Sequence, residues 1–287
     1  MAGCLCLAVS GIICGGGPSA AQAVSSGAER TSNADEILVA CAGDIASGVP
    51  LVAAASDGTF EGVDGARYLA VDLRPLTDGA RRAPALADLT TGAASYLAVP
   101  VAGPDRWGLV PAWIVRRDRD ETRLLQAEIL EHGEALFAPG AASGACADRL
   151  RAAEHTARRA RSGHWRDVAG ATLFSSWEPD TFAGHAGRYV IARGRIVSLG
   201  KTASTRYLNF GRYWKTDLTV TFKSSEENTF NAALGRSGHM VDDLEGHSVE
   251  VRGVLQERDG PYIALRHPEQ LVVLKGRRVG SGGQDGN

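Results

Sequence analysis

The sequence predicts a mainly β fold with some α-helix (α+β), in two successive domains. From Tyr189 onward, apolar and polar residues alternate in short segments, which is typical of half-buried strands. Two Asp-Gly pairs, at residues 57–58 and 64–65, indicate hairpin turns. Between these regions, apolar residues recur at helical spacing. Together these patterns predict strands first, helices next and a second set of strands last.

The composition is that of a globular protein without a strong charge. The 287 residues are enough for two ordinary domains, and 44% are hydrophobic against 22% charged. A formal net charge of -2 lacks the basic excess of a dedicated nucleic-acid binder, so tight binding to DNA or RNA is not favoured. The seven histidines show no metal-ligand spacing.

The first residues predict export. Residues 4–14 are almost wholly apolar but too short to span a bilayer, and Ala21 and Ala23 form a small-x-small cleavage pattern. We therefore expect a signal peptide over residues 1–23, although its first three residues, Met1–Gly3, include no Lys or Arg. Residues 24–35 predict a spacer, and the mature protein is expected to be periplasmic or secreted, with no membrane span.

The cysteines predict one disulfide. Of five cysteines, three would leave with the signal peptide, and Cys41 and Cys146 remain. Two cysteines in an exported protein favour a bridge between them. The alternative is two buried free thiols.

Residues 36–167 predict the first domain, and its first half should be rich in strands. Apolar runs at Ile37–Ala40 and Val49–Ala55 predict strands, and hairpin turns are expected at the two Asp-Gly pairs that follow. The Ala-rich stretch from Ala85 to Leu97 predicts a helix on the side of the barrel.

The second half of this domain should carry two helices. Leu125 and Ile129, four residues apart, predict a helix that Gly133 ends. A second helix should begin near Cys146 and end at Gly163, just before Trp165.

This ordered set of elements resembles the thermonuclease (staphylococcal-nuclease-like) family. Arg67–Pro75 is similar to the family's Arg-Leu-x-x-[Ile/Val]-Asp-x-Pro-Glu run, and Asp105–Gly108 to its Asp-[Arg/Lys]-Tyr-Gly-Arg motif. Leu150–Trp165 is similar to its last helix, which closes on Gly-x-Trp. The resemblance implies a five-stranded barrel of OB type with helices packed outside.

The resemblance also implies a chemistry that this chain has largely lost. In the family, two aspartates hold calcium, two arginines stabilise the transition state and a glutamate activates water. The first arginine falls on Arg67 and one aspartate on Asp72. The other positions carry residues of other types: Thr59 for the second aspartate, Leu109 for the second arginine, and Pro75 or Leu76 for the glutamate.

Two functions compete on these residues. The favoured hypothesis is a non-catalytic binding or structural protein that needs no cofactor. The alternative is a calcium-dependent phosphodiesterase that uses Arg67 as a catalytic residue, Asp72 as a metal ligand and Asp78 as a relocated base. A structural alternative for Arg67 and Asp72 is an ion pair inside the barrel.

The rest of the chain predicts a second barrel. Residues 168–187 are expected to be a linker, residues 188–275 an independent OB-like domain, and residues 276–287 a disordered Gly-rich tail. Five strands with a helix after the third is an OB order. This part is similar to a small β-barrel found behind divergent thermonuclease domains in exported bacterial proteins.

Aromatic residues in this second barrel predict a binding surface. Aromatic residues near basic ones can stack the bases of single-stranded nucleic acid. The aromatic residues are Tyr207, Phe210, Tyr213 and Trp214, and the basic ones are Arg206, Arg212 and Lys215. The alternative is that Phe210 belongs to the core and Trp214 caps the barrel. Another exported protein is the second partner that we consider.

Overall fold

The structure, a computed structural model, describes residues 35–55, 57–75, 94–119, 121–166, 172–213 and 215–274. The predicted signal peptide, nearly all of the spacer, Asp78, Trp214 and the predicted tail lie outside the described residues. Within the described ranges, no helix is long and apolar enough to cross a membrane.

Among the described residues, the N-terminal half forms eight strands and three helices. The strands are β1 (Val49–Ala54), β2 (Thr59–Gly62), β3 (Arg67–Ala70), β4 (Leu73–Pro75), β5 (Ser95–Pro100), β6 (Leu109–Arg117), β7 (Thr122–Leu124) and β8 (Ala135–Phe137). The helices are α1 (residues 35–42), α2 (Leu125–His132) and α3 (Gly144–Ala160).

Five of these strands form a closed barrel. Antiparallel ladders join β3 to β2, β2 to β1, β1 to β5 and β5 to β6. The circle closes because β3 pairs in parallel with β6, which places Arg67 opposite Leu109. An OB-like closed barrel with packed helices is therefore confirmed.

Strand β6 is buried on both faces because the barrel and the helices lie on opposite sides of it. Ile114 packs inside the barrel with Phe60. Its neighbours Trp113 and Val115 face the other way and pack with Leu150 of α3. The helices therefore cover a wall of the barrel that would otherwise expose a large aromatic side chain.

Two sequence predictions in this half are wrong in type. Residues 35–42 form helix α1 rather than a strand, with Ile37 and Leu38 buried. A short apolar run does not distinguish a strand from a helix. Ser95–Leu97 belongs to β5 rather than to a helix, and residues 85–93 of that prediction lie outside the described residues.

The predicted disulfide is confirmed. Cys41 of α1 and Cys146 in the first turn of α3 are bonded, with a sequence separation of 105 residues. The bridge anchors α1 beside α3, and the strands of the closed barrel all lie between the two cysteines in sequence.

The ends of α2 and α3 contact each other through their backbones. Gly133 ends α2 in the left-handed region, with φ 73°. A Cβ on Gly133 would lie 2.3 Å from the carbonyl oxygen of Ser162, and a Cβ on Gly163 would lie 2.4 Å from that of His132. His164 N donates to Gly133 O at 3.0 Å across the same contact. Glycine is required here by close approach as well as by dihedral angle.

We predict that Gly163→Ala destabilises the protein much more than Gly144→Ala. Both glycines have φ 54°, so both substitutions carry the left-handed penalty of about 1–2 kcal/mol. Only at Gly163 does the new methyl group meet backbone atoms, whereas Gly144 has nothing within 4 Å. Urea denaturation should show a clearly larger loss for Gly163→Ala; equal losses would contradict the backbone contact.

The C-terminal half is mostly strands. Its strands are β9 (Leu173–Ser175), β10 (Tyr189–Arg195), β11 (Ser198–Lys201), β12 (Thr205–Asn209), β13 (Thr219–Lys223), β14 (Ser248–Glu257), β15 (Pro261–Ala264) and β16 (Leu271–Val273). Helix α4 (Glu227–Gly235) lies between β13 and β14, where the sequence predicts a helix.

The second closed barrel is not confirmed, because the ladder of this sheet is open. The strand order is β11-β12-β13-β15-β14-β10-β9, with β16 paired to β14. Strand β11 lies at one end of this order and β10 is next to the other end. In sequence, only Ile196 and Val197 separate these two strands. Val197 N donates to Asn209 O at 2.7 Å, and Ile196 N donates to His247 O at 3.0 Å.

The described part of the predicted linker, residues 172–187, belongs to the C-terminal sheet and core. Strand β9 pairs in parallel with β10. Phe174 and Phe182 are buried in the same cluster as Val190, with their rings stacked 4.9 Å apart. The glycines and the proline of this stretch suggested a linker. The sequence pattern did not show that Phe174 and Phe182 are core residues.

Buried charges join the two halves. The Arg252 guanidinium of β14 donates from Nη2 to Glu154 Oε2 of α3 at 2.9 Å and from Nη1 to Phe137 O at 2.8 Å. Both Arg252 and Glu154 are fully buried. Glu154 also accepts from Phe137 N at 2.9 Å, so both of its oxygens have a donor.

Glu250 completes this cluster. It accepts from Arg252 and, at 2.6 Å, from Arg193 Nη2, and Arg158 of α3 lies 3.4 Å away. Burial disfavours the charged form of Glu250, but the three guanidinium groups outweigh it and hold its pKa well below the usual value. The halves are therefore packed through a network in which charges and hydrogen bonds are matched.

We predict that Glu154→Gln lowers the free energy of unfolding by about 3 kcal/mol. The amide keeps the shape of Glu154 but leaves the buried charge of Arg252 less compensated. The control is Glu226→Gln, which removes an exposed pair with Lys223 at 3.9 Å and should cost about 0.5 kcal/mol or less. Urea denaturation measures the free energy of unfolding of both variants. Similar small losses would contradict a stabilising role for the buried pair between the two halves.

Candidate functional site

Arg67 lies on the surface of the closed barrel in a small polar cluster. Its side chain is 51% exposed, and Nη2 donates to Asp57 Oδ2 at 2.6 Å and to Thr59 Oγ1 at 3.0 Å. Thr59 in turn donates from its hydroxyl to Asp57 Oδ1 at 2.6 Å, and this bond is the main reason that the pKa of Asp57 is lowered. Arg67 thus contacts Thr59 through its side chain and stands opposite Leu109 in the ladder between β3 and β6.

Asp72 does not join this cluster. It adopts φ 62° just after β3, and its side chain is buried. Oδ1 accepts from the backbone amides of Gly140 and Ala141 at 3.0 and 2.8 Å, and Oδ2 accepts from Ala142 at 2.6 Å. Asp72 therefore organises the loop between β8 and α3.

Burial and hydrogen bonding have opposite effects on the pKa of the Asp72 carboxyl. Burial raises the pKa of this carboxyl, although the three amide hydrogen bonds act to lower it. The suggested ion pair between Arg67 and Asp72 is wrong, because Arg67 pairs with Asp57 instead. In the described ranges, no group of three His, Cys, Asp or Glu side chains is placed to hold a metal ion.

A groove of about 660 Å³ opens on the C-terminal sheet. Its lining comes from four segments, which follow β9, β10 and β12 and precede β14. Backbone hydrogen bonds hold these segments together: Ser176 N donates to Arg193 O at 2.8 Å, and Gly246 N donates to Ile196 O at 2.8 Å. The volume lies within the range of about 300–1,000 Å³ that is usual for ligand sites.

Two exposed aromatic side chains flank this groove. Trp177 is 68% exposed and Tyr213 is 73% exposed. Tyr213 is held by its loop, because its N–H donates to Asp217 Oδ2 at 2.8 Å. Asp217 lies directly over Gly211, where a Cβ would come within 1.9 Å of that carboxylate. A glycine at 211 is therefore needed for this loop.

The charged groups of the groove are balanced. Arg195 and Arg212 line it, and so do Asp217 and Glu245. Among the described residues, neither arginine has an ion-pair partner. The Ser176 hydroxyl, also in the lining, is buried without a hydrogen-bond partner in the described part of the chain.

The predicted stacking residues are not brought to one surface. Tyr207 is half-buried and packs over Gly200, outside the groove. Phe210 is only 2% exposed and belongs to the core with Leu208, which favours the core alternative. Trp214 lies outside the described residues. The nearby Arg206 is also buried, paired with Asp242, and so does not form part of a basic surface.

Sequence reasoning missed the groove because its segments are far apart in the chain. Trp177 was assigned to a linker, and Arg195 and Glu245 stand 50 positions apart with no motif between them. The stacking hypothesis nevertheless included Tyr213 and Arg212, and both line the groove.

Comparisons with known proteins give little beyond this geometry. No protein-family model matches the chain, and no curated protein matches it. Among 321 similar solved chains is one described as "OBody AM1L10 bound to hen egg-white lysozyme", at 15% identity and a TM-score of 0.23. The match covers 34% of this chain and 86% of that chain.

We predict that the two residues retained from the family pattern differ in their structural importance. Asp72→Ala should cost about 3 kcal/mol of unfolding free energy, because three backbone amides lose their acceptor. Arg67→Ala should cost less than about 1 kcal/mol, since its ion pair is half exposed. Denaturant titration of both variants checks this, and an equal cost would contradict the assignment of Asp72 to loop structure.

Proposed function

We propose that this chain is an exported, thermonuclease-like protein that binds a ligand without hydrolysing phosphodiesters. One observation carries the non-catalytic part: both oxygens of Asp72 already accept backbone N–H groups from residues 140–142. Calcium takes about six to eight oxygen ligands, so a carboxylate engaged in this way offers it little. Thr59 and Leu109 supply neither a second carboxylate nor a second cation beside Arg67.

The thermonuclease-like assignment is supported by the barrel and its helices together. The closed five-stranded barrel, α2 ending at Gly133 and α3 ending before Trp165 follow the order that the family pattern predicts. The contacts of Arg67 support it as well, because its guanidinium donates to the Thr59 hydroxyl and it stands opposite Leu109 in the ladder between β3 and β6.

The ligand-binding role belongs to the C-terminal half. Its strands follow an OB-like order, with β13 and β15 parallel and α4 after β13, and the break at Ile196 and Val197 divides one bent strand. In this proposal the half acts as an OB-like barrel, and the groove beside Trp177 and Tyr213 receives the ligand. Single-stranded nucleic acid and another exported protein remain candidate partners.

Export is supported by the disulfide and by the apolar leader. A bridge between Cys41 and Cys146 is compatible with an oxidising compartment such as the periplasm or the extracellular space.

We predict that residues 24–287 leave single-stranded DNA and RNA intact in the presence of calcium. Without a second cation and a metal, only Arg67 meets the extra negative charge of the transition state. Calcium should also leave the melting temperature unchanged, because only an ion that binds the native state stabilises it. Gel analysis of the nucleic acids and thermal denaturation measure the two outcomes.

The opposite result would favour the calcium-dependent phosphodiesterase. In that result, the protein degrades DNA or RNA, and the degradation stops when calcium is chelated and is absent in Arg67→Ala. The control is Arg74→Ala, which removes another exposed arginine of the same half and should have no effect on either activity or stability.

A further inference from the structure

We infer that the groove beside Trp177 and Tyr213 binds an uncharged oligosaccharide. The inference rests on the proposed binding role of the C-terminal half and names the chemical class of its ligand. It follows from three properties of the groove: exposed flat aromatic rings, balanced charge and polar groups without partners.

The aromatic rings supply apolar, flat surfaces in contact with water. Trp177 and Tyr213 are 68% and 73% exposed, although large aromatic side chains are usually mostly buried. A pyranose ring has one face of C–H groups that packs on such a ring, while its hydroxyls stay free for hydrogen bonds. The two side chains are therefore suited to hold sugar rings along the groove.

The balanced charge argues against a polyanion. Arg195 and Arg212 contribute two positive charges, and Asp217 and Glu245 contribute two negative ones. Binding of nucleic acid depends on an excess of basic groups that neutralise phosphates, and here each carboxylate would repel a phosphate. The formal charge of the whole chain, -2, provides no basic excess either.

The polar groups match hydroxyls, which both donate and accept hydrogen bonds. Arg195 and Arg212 are donors without an ion-pair partner among the described residues, and Glu245 is an exposed acceptor. Ligand hydroxyls in the groove would accept hydrogen bonds from these guanidinium groups and donate to the Glu245 carboxylate.

The experiment measures binding of three uncharged probes, chitohexaose, cellohexaose and maltohexaose, to residues 24–287 by isothermal titration calorimetry. We expect at least one to bind, with affinity nearly unchanged between roughly 50 and 200 mM salt, as for an uncharged ligand. Trp177→Ala should weaken binding about tenfold or more. The matched control is Trp107→Ala, because Trp107 is also 68% exposed but lies on the N-terminal half.

The other outcomes separate this inference from the proposed function. The inference of an oligosaccharide ligand is wrong if none of the three hexaoses binds. It is also wrong if Trp177→Ala and Trp107→Ala reduce the affinity equally. Oligothymidylate or a proline-rich peptide could bind instead, with an affinity that Trp177→Ala lowers. In that case the oligosaccharide inference is wrong, but the groove is still the binding site. The nuclease assay decides the non-catalytic part independently.

Discussion

The contact between Arg252 and Glu154 is the interaction on which the arrangement of the two halves depends. Removing a guanidinium and a carboxylate from water costs several kcal/mol for each ion, so neither can be buried without the other. Arg252 lies in β14, which pairs with β10, β15 and β16, and Glu154 lies in α3, which covers the closed barrel. The charge requirement therefore connects the central strand of one sheet to the helix that completes the other core.

Arg67 and Asp72, the two charged residues that match the thermonuclease pattern, have different surroundings. At Asp72, the N–H groups of residues 140–142 present partial positive charge to the carboxylate. The Arg67 guanidinium donates hydrogen bonds to Asp57 and Thr59. Each of these charged side chains is therefore engaged by protein groups: Asp72 by backbone amides 68 to 70 residues further along the chain, and Arg67 by residues in and just before β2.

The sequence predicts those features that depend on local patterns. Alternation located β13, Gly133 marked the end of α2, and two remaining cysteines indicated the bridge. Helix α3 ends at Ala160, before the predicted Gly163, because Arg161 adopts the left-handed conformation that caps it. Type assignments failed for α1 and β5, because a short run that is buried on one side satisfies either period. The partner of Arg252 lies 98 residues away, and the groove is assembled from four distant segments, so neither leaves a pattern along the chain.

The cross-link between Cys41 and Cys146 gives the fold a dependence on its surroundings. For a closed loop of about a hundred residues, the chain-entropy model attributes about 4.7 kcal/mol to the bridge. Total stabilities of domains are about 5–15 kcal/mol, so the reduced chain would keep the same contacts but unfold roughly a thousandfold more often. A copy retained in a reducing compartment would therefore be exposed to proteases, whereas an oxidised copy would persist. The bridge thus restricts where this fold survives as well as how firmly it is held.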